Sequence, residues 1–296
     1  MATGAERAIE AARACGVELC LANPGTTEIP LVQALERVGG IRAVLCLHEN
    51  TCTGAADGYA RLAGKPALAL LHLGPGLANG AANLHTARRA KAPVVALVGE
   101  HASWHMAADA PLTMPIEQLA GTFSRWVGRV GSPDAAAGAM TEAIAAAVSG
   151  NGGVVTLVVP HDFQMSEAMA DTPAAGTAPE PFPPLDHGAV AAAAELLRGR
   201  GARELFLGGR ALWGEGLHLA GRIARATGCR LIGEVAFARL ETGQGLPVVE
   251  RLPYFPERAQ ALLDEFATVV GIGAKRPVSI FGWPGQPGRN NEGQEH

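Results

Sequence analysis

Several short runs of this chain are apolar at nearly every position, and they constrain the fold more than any motif does. They are residues 17–22, 41–47, 67–73, 93–98 and 154–159. A strand without a polar face needs cover on both sides. Single helical stretches separate these runs and return the chain to begin each strand in the same direction. The fold class is therefore α/β, a parallel sheet flanked by helices. The helical stretches carry their own boundaries. Thr3 and Glu6 form a capping-box pattern, and Gly16 closes the helix that follows. Residues 29–38 are closed by Gly39-Gly40, and residues 49–63 by Gly64. A loop, Gly74-Pro75-Gly76, leads into a helix that runs to about Arg89, and residues 134–148 form an alanine-rich helix. Hydrophobic residues make up 48% of the 296 but aromatics only 5%, so the core is expected to be built of small aliphatic side chains.

Residues 166–186 break the rhythm. Pro173, Pro179, Pro181, Pro183 and Pro184 fall in an aperiodic stretch that reads as an interdomain linker. A smaller α/β unit follows, with helices at 188–197, 217–227 and 257–266 and strands at 204–207, 230–235, 268–272 and 278–281. A polar tail ends the chain. The net charge of -4, with no clustered basic surface, argues against a nucleic-acid partner. No apolar run approaches the roughly 20 residues of a membrane span, and the N-terminus lacks a signal-peptide core. The five cysteines, Cys15, Cys20, Cys46, Cys52 and Cys229, are odd in number and lack CxxC spacing. They read as small buried hydrophobes in a reducing, cytoplasmic compartment.

In an open parallel sheet, ligands bind beyond the carboxyl ends of the strands. Four loops are expected there: 23–28, 48–50, 72–79 and 100–113. Glu49 follows an apolar strand and opens a helix. It reads either as a carboxylate complementing the helix dipole or as an acid on the floor of a cleft. In the second case Leu45 and Leu47 would wall it, and poor solvation would let it share a proton with a ligand nitrogen. Gly74-Pro75-Gly76 with Gly80 allows a phosphate-binding loop or a tight turn; it has neither P-loop nor dinucleotide-motif spacing. The Gly208-Gly209 and Gly214–Gly216 cluster reads as turns, with a nucleotide site as the alternative; FAD stays open there, though no motif specifies it. His72, at a strand end, is structural or catalytic. His48, His85, His101 and His105 show no metal-ligand spacing, so no metal-binding residue is assigned.

Taken together, ANPGTTEIPL (22–31), LHEN (47–50), TGAADGYAR (53–61) and LHLGPGLANGAANLHTARRAKAPVVALVGEH (71–101) resemble the pyrimidine-binding domain of thiamine-diphosphate-dependent enzymes. The likeness is to acetolactate synthase large-subunit-like proteins and, in a related way, to benzoylformate decarboxylase. It covers most of residues 1–165, and residues 187–287 resemble the middle domain more loosely. The resemblance implies an enzyme, a lyase or transferase, acting on small-molecule 2-oxo acids. Glu49 would face the cofactor's aminopyrimidine nitrogen N1′ and control its tautomer. Pro24, Gly25 and Thr26 match the loop that approaches the active site, Asn79 the asparagine near the pyrimidine, and Gly74 and Gly76 the turn packed beside it. His72 matches a proton-transferring histidine of benzoylformate decarboxylase. Pro111-Leu112 stands where acetolactate synthases carry phenylalanine-glutamine, and Asn50 where they carry glutamine; both departures weigh against acetolactate as product.

The family holds the diphosphate through Mg²⁺ on a GDG motif and a downstream asparagine. This chain has only Ala56-Asp57-Gly58, inside the first domain. The organisation expected is thus residues 1–165 as pyrimidine-binding domain, 166–186 as linker and 187–296 as a truncated middle domain. Mg²⁺ would come with a missing diphosphate-binding domain. The partners implied are a second copy, in a homodimer or tetramer, or a chain carrying that domain. A non-catalytic remnant or interaction subunit of a split enzyme is the competing expectation.

Overall fold

The computed structural model describes residues 1–169, 184–282 and 284. They separate into two compact units, Met1–Phe182 and Pro183–His296. Most of the expected linker, residues 170–183, and nearly all of the tail lie outside the described residues.

The first unit runs α1 (Gly4–Ala14), β1 (Leu19–Asn23), α2 (Ile29–Val38), β2 (Arg42–Leu45), α3 (Glu49–Ala63), β3 (Ala67–Leu71) and α4 (Leu73–Ala90). It continues through β4 (Val94–Glu100), α5 (Ile116–Ala120), β5 (Trp126–Arg129), α6 (Ala136–Val148), β6 (Val155–Pro160) and α7 (His161–Met165). The six strands form one parallel sheet in the order β2-β1-β3-β4-β6-β5. Alternate residues of the central strands enter opposite cores. Leu68, Leu70, Val95, Leu97, Val155 and Leu157 meet α1, α2 and α6. Ala69, Leu71, Val94, Ala96, Val98 and Val158 meet α3, α4 and α5. Cover on both faces explains why these strands are apolar throughout.

The capping box at Thr3 is formed: Thr3 Oγ1 accepts from Glu6 N at 3.2 Å, and Thr3 N donates to Glu6 Oε2 at 2.9 Å. Helices α3 and α4 pack closely because Gly54 and Gly80 face each other's partners. A Cβ on Gly80 would lie 2.8 Å from Thr53 Cγ2, and one on Gly54 2.8 Å from Asn83 Nδ2.

Two expectations are corrected. Gly74-Pro75-Gly76 is not a loop but the first turn of α4. Proline is tolerated there because its absent N–H would have no partner in a first turn. Residues 278–281 are not a strand. The elements α5 and β5 were not expected, because the half-buried edge strand Trp126–Arg129 carries no apolar run.

The second unit has α8 (His187–Arg198), β7 (Arg203–Leu207), α9 (Gly214–Thr227), β8 (Arg230–Gly233), β9 (Glu250–Arg251), α10 (Pro256–Leu263) and β10 (Thr268–Ile272). Its four strands are parallel in the order β10-β7-β8-β9. The fourth strand is the two-residue β9. Among the described residues no helix is long and apolar enough to cross a membrane.

Candidate active site at the strand tips

Strands β2, β1, β3 and β4 are neighbours in the first sheet, so the segments leaving their carboxyl ends lie side by side. These segments carry Glu49, the 24–28 loop, His72 and Glu100 respectively. Asn23 ties two of them together, its Nδ2 donating to Cys46 O at 2.8 Å.

Glu49 is the first residue of α3, and only 8% of it is exposed. Its cover comes from α4. Asn79 Nδ2 donates to Glu49 Oε2 at 3.0 Å. A Cβ on Gly76 would lie 3.1 Å from Glu49 Oε1 and 3.4 Å from His72 Cβ, so the bare Cα keeps the space between both groups open. No donor to Oε1 is found among the described residues. One helical turn on, Thr53 Oγ1 donates to Gly80 O at 3.1 Å, and Asn83 Nδ2 donates to Asn50 O at 2.7 Å. The start of α3 is therefore pinned to α4 at three successive points. Leu45 and Leu47, expected to wall the carboxylate, do not: they are 72% and 92% exposed. Both lie on or just beyond the edge strand β2, which has a neighbour on one side only. Cys52, three residues along α3 from Glu49, is fully buried. Burial pushes Cys20 up to about 12. Burial, reinforced by Cys46, Cys20 and Glu49, also raises Cys52. Both thiols stay neutral, and Cys52 adds no second charge beside Glu49.

His72 sits beside this group and has a partner that sequence reasoning missed. Glu28 is fully buried, and its carboxylate is ringed by donors. Gly25 N donates to Oε2 at 2.8 Å, Thr27 Oγ1 donates to Oε1 at 2.6 Å, and His72 Nδ1 lies 2.7 Å from Oε2. Gly25 packs on the His72 ring and Gly99 on Glu28 Oε1, so closely that a Cβ on either would overlap its neighbour. His161 Nδ1, 2.9 Å from Thr27 O, secures the same loop from the far side. An acid among small residues at a strand tip, with no basic residue near it in sequence, was the available signal for Glu28.

The remaining expected residues divide. Gly25 joins the His72 group, Gly76 and Asn79 join Glu49, and Thr26 is exposed at the loop tip. Gly74 does not reach Glu49 but packs against Met114 from the segment after β4. Beyond β4, Glu100 is buried; its Oε1 accepts from His101 N at 2.8 Å and its Oε2 pairs with Arg129 at 3.4 Å. Asp57 of the Ala-Asp-Gly triplet is held by Arg61 through two bonds of 2.7 and 2.6 Å, a structural pair within α3.

A thiamine pyrimidine fits this arrangement: a buried carboxylate with one oxygen held and the other unclaimed suits a ring nitrogen that shares a proton. The described residues present no comparable cradle for a diphosphate. No three of their His, Cys, Asp or Glu side chains gather as metal ligands.

Known proteins resemble this chain in sequence and in fold. Residues 2–120 match the family described as thiamine pyrophosphate enzyme, N-terminal TPP binding domain. A Mycobacterium tuberculosis (strain ATCC 25618 / H37Rv) protein named as an acetolactate synthase large subunit, IlvX, is 48% identical over 277 residues, 92% of this chain and 52% of the relative. The Escherichia coli (strain K12) acetolactate synthase isozyme 2 large subunit is 32% identical over 163 residues, 55% of this chain and 30% of that protein. The chain thus spans about half the length of the mycobacterial relative. The fold is that of a thiamine diphosphate-dependent 4-hydroxybenzoylformate decarboxylase from Rhodococcus jostii RHA1, with a TM-score of 0.83 at 22% identity over 96% of this chain and 54% of the other.

Proposed function

We propose that this chain, which belongs to the thiamine pyrophosphate-dependent enzymes of the acetolactate synthase and decarboxylase family, forms the pyrimidine-facing half of a cleft that decarboxylates 2-oxo acids. The observation that carries this reading is the half-satisfied carboxylate of Glu49, held at Oε2 by Asn79 and, among the described residues, left without a donor at Oε1 beside the bare Cα of Gly76. When bound, thiamine diphosphate supplies the electron sink for decarboxylation. Glu49 holds the shared proton at Oε1, and Asn79 keeps the carboxylate from rotating away. Gly76 leaves room for a planar ring, and Gly25 lets His72 stand close to the loop. The diphosphate and Mg²⁺ are assigned to a further domain, on this chain or on a partner, in a dimer, a tetramer or a split enzyme. The free thiols suit a cytoplasmic, reducing compartment.

His72 favours protonation of the product, releasing an aldehyde, over carboligation to acetolactate. A histidine with one ring nitrogen committed to a carboxylate and the other without a partner among the described residues is equipped to hand over a proton.

The test is calorimetry with thiamine diphosphate and Mg²⁺ on this chain assembled with a diphosphate-binding domain, followed by assay of CO2 release from 2-oxo acids. Cofactor binding and turnover that Glu49→Gln abolishes are expected. Absence of cofactor binding in every pairing would overturn the proposal in favour of a non-catalytic interaction subunit.

A further inference from the structure

We propose that Glu28 is a positioning residue for His72: it keeps a proton on Nδ1 and so makes Nε2 the ring atom that exchanges protons with the cleft. Glu28 is fully buried, and among the described residues no lysine or arginine pairs with it. A buried carboxylate must be compensated by donors. Two of its three donors, Gly25 N–H and the Thr27 hydroxyl, already serve the ionised form from outside the imidazole. An anion so held takes the remaining contact, 2.7 Å to Nδ1, as an acceptor, so the proton on that axis belongs to the ring. The backbone has made room for this pair in particular. Gly25 and Gly99 come from the tips of two different strands, and a side chain on either would occupy the position of the ring or of Oε1. His161 braces Thr27 from a third strand tip. Nε2 has no partner among the described residues, and the His72 side chain is about a quarter exposed, at 26%.

The proton flow is balanced without another group. Protonated His72 gives up the Nε2 proton, the ring becomes neutral with Nδ1–H still bonded to Glu28, and a proton from bulk solvent restores Nε2–H, the one proton that decarboxylation of a 2-oxo acid anion to aldehyde and CO2 consumes. Only the destination of that proton, the product side of the reaction, rests on the decarboxylase reading above; the tautomer does not.

Two-bond ¹H–¹⁵N correlation spectra of the full chain with ¹⁵N-labelled histidine, His72 being assigned by its loss in His72→Gln, read the tautomer directly. Neutral His72 is expected to carry its proton on Nδ1. Glu28→Gln, which keeps an acceptor in place, preserves that state, and Glu28→Met, of similar length without an acceptor, moves the proton to Nε2. A neutral wild-type ring with its proton on Nε2, or neutral-ring Nδ1 protonation that persists in Glu28→Met, overturns the proposal. If Glu28→Met does not fold, the wild-type spectrum decides alone. In the assembled enzyme, Glu28→Met lowers aldehyde release about 10²-fold while first-turnover CO2 release holds. Equal loss of both would reduce Glu28 to a structural role. An Nδ1 tautomer in a wild-type assembly that releases no CO2 would sink the decarboxylase reading and leave the pair intact.

Discussion

Replacing Glu204 should spare the second unit a loss of stability that the wild type suffers as the pH rises, and the effect can be sized from its surroundings. Glu204 lies on β7, fully buried, and neither of its carboxyl oxygens has a hydrogen-bond partner among the described residues. Its ladder neighbour Arg230 is committed to Glu250 and to Glu265, and its guanidinium stacks 5.0 Å from the Phe266 ring centre. Burial pushes the carboxyl of Glu204 up to about 7; Arg230 pulls it down and Glu250 pushes it further up. In the unfolded chain it returns to 4.5. Between those values the folded state keeps a proton that the unfolded state releases, so stability falls as pH rises through this window. It is fully retained below the lower value and lost above the upper one. At roughly 1.4 kcal/mol per unit, the whole effect is on the order of 3 kcal/mol. Glu204→Met has similar length and nothing to titrate. Urea unfolding at pH 5 and pH 8 should show the gap between variant and wild type widening by about 1 M at the higher pH, for an m-value of about 2 kcal/mol per M. A gap of constant size across that range would refute the assignment of a buried, proton-holding carboxyl.

Four further outcomes are expected. Glu49→Gln should lower cofactor-dependent turnover by about 10²-fold or more, with circular dichroism and melting temperature unchanged. Asn79→Leu removes the donor to Glu49 Oε2, a bond to a charged group worth about 1.5–3 kcal/mol, and should cost about tenfold to a hundredfold in kcat/KM by steady-state assay. Gly76→Ala should leave the melting temperature level or raise it, since alanine gains up to about 1 kcal/mol in a helix. Its methyl group, 3.1 Å from Oε1, should nonetheless weaken thiamine diphosphate binding by calorimetry. Thr3→Ala breaks the capping box of α1 and should destabilise the first unit by about 1 kcal/mol in denaturant titration.

Much of the fold could be read along the chain because its determinants are local. Burial on both faces leaves an apolar run at each central strand, and Gly39 and Gly64 end helices where the turn needs positive φ. The misses share a cause. Gly74-Pro75-Gly76 looks like a loop because glycine and proline usually end regular structure, yet a helix's first turn asks for no N–H at Pro75. Strand β5 is half-buried at the sheet edge, and β9 has two residues, so neither carries a pattern.

The candidate site divides in the same way. Glu49 could be singled out because it stands between an apolar strand and a helix, and the role proposed for it came from the motifs around it. Its grip by Asn79 joins residues 30 apart, and the Glu28–His72 contact joins residues 44 apart. No periodicity encodes such meetings. They exist because the crossovers set β2, β1, β3 and β4 side by side, and because bare Cα atoms at Gly25, Gly76 and Gly99 let their tips close to contact. Linear order specified which segments become strands and helices, through burial and backbone conformation. Which charged group faces which was decided only when the sheet assembled, since strand order and side-chain clearance are properties of the packed molecule.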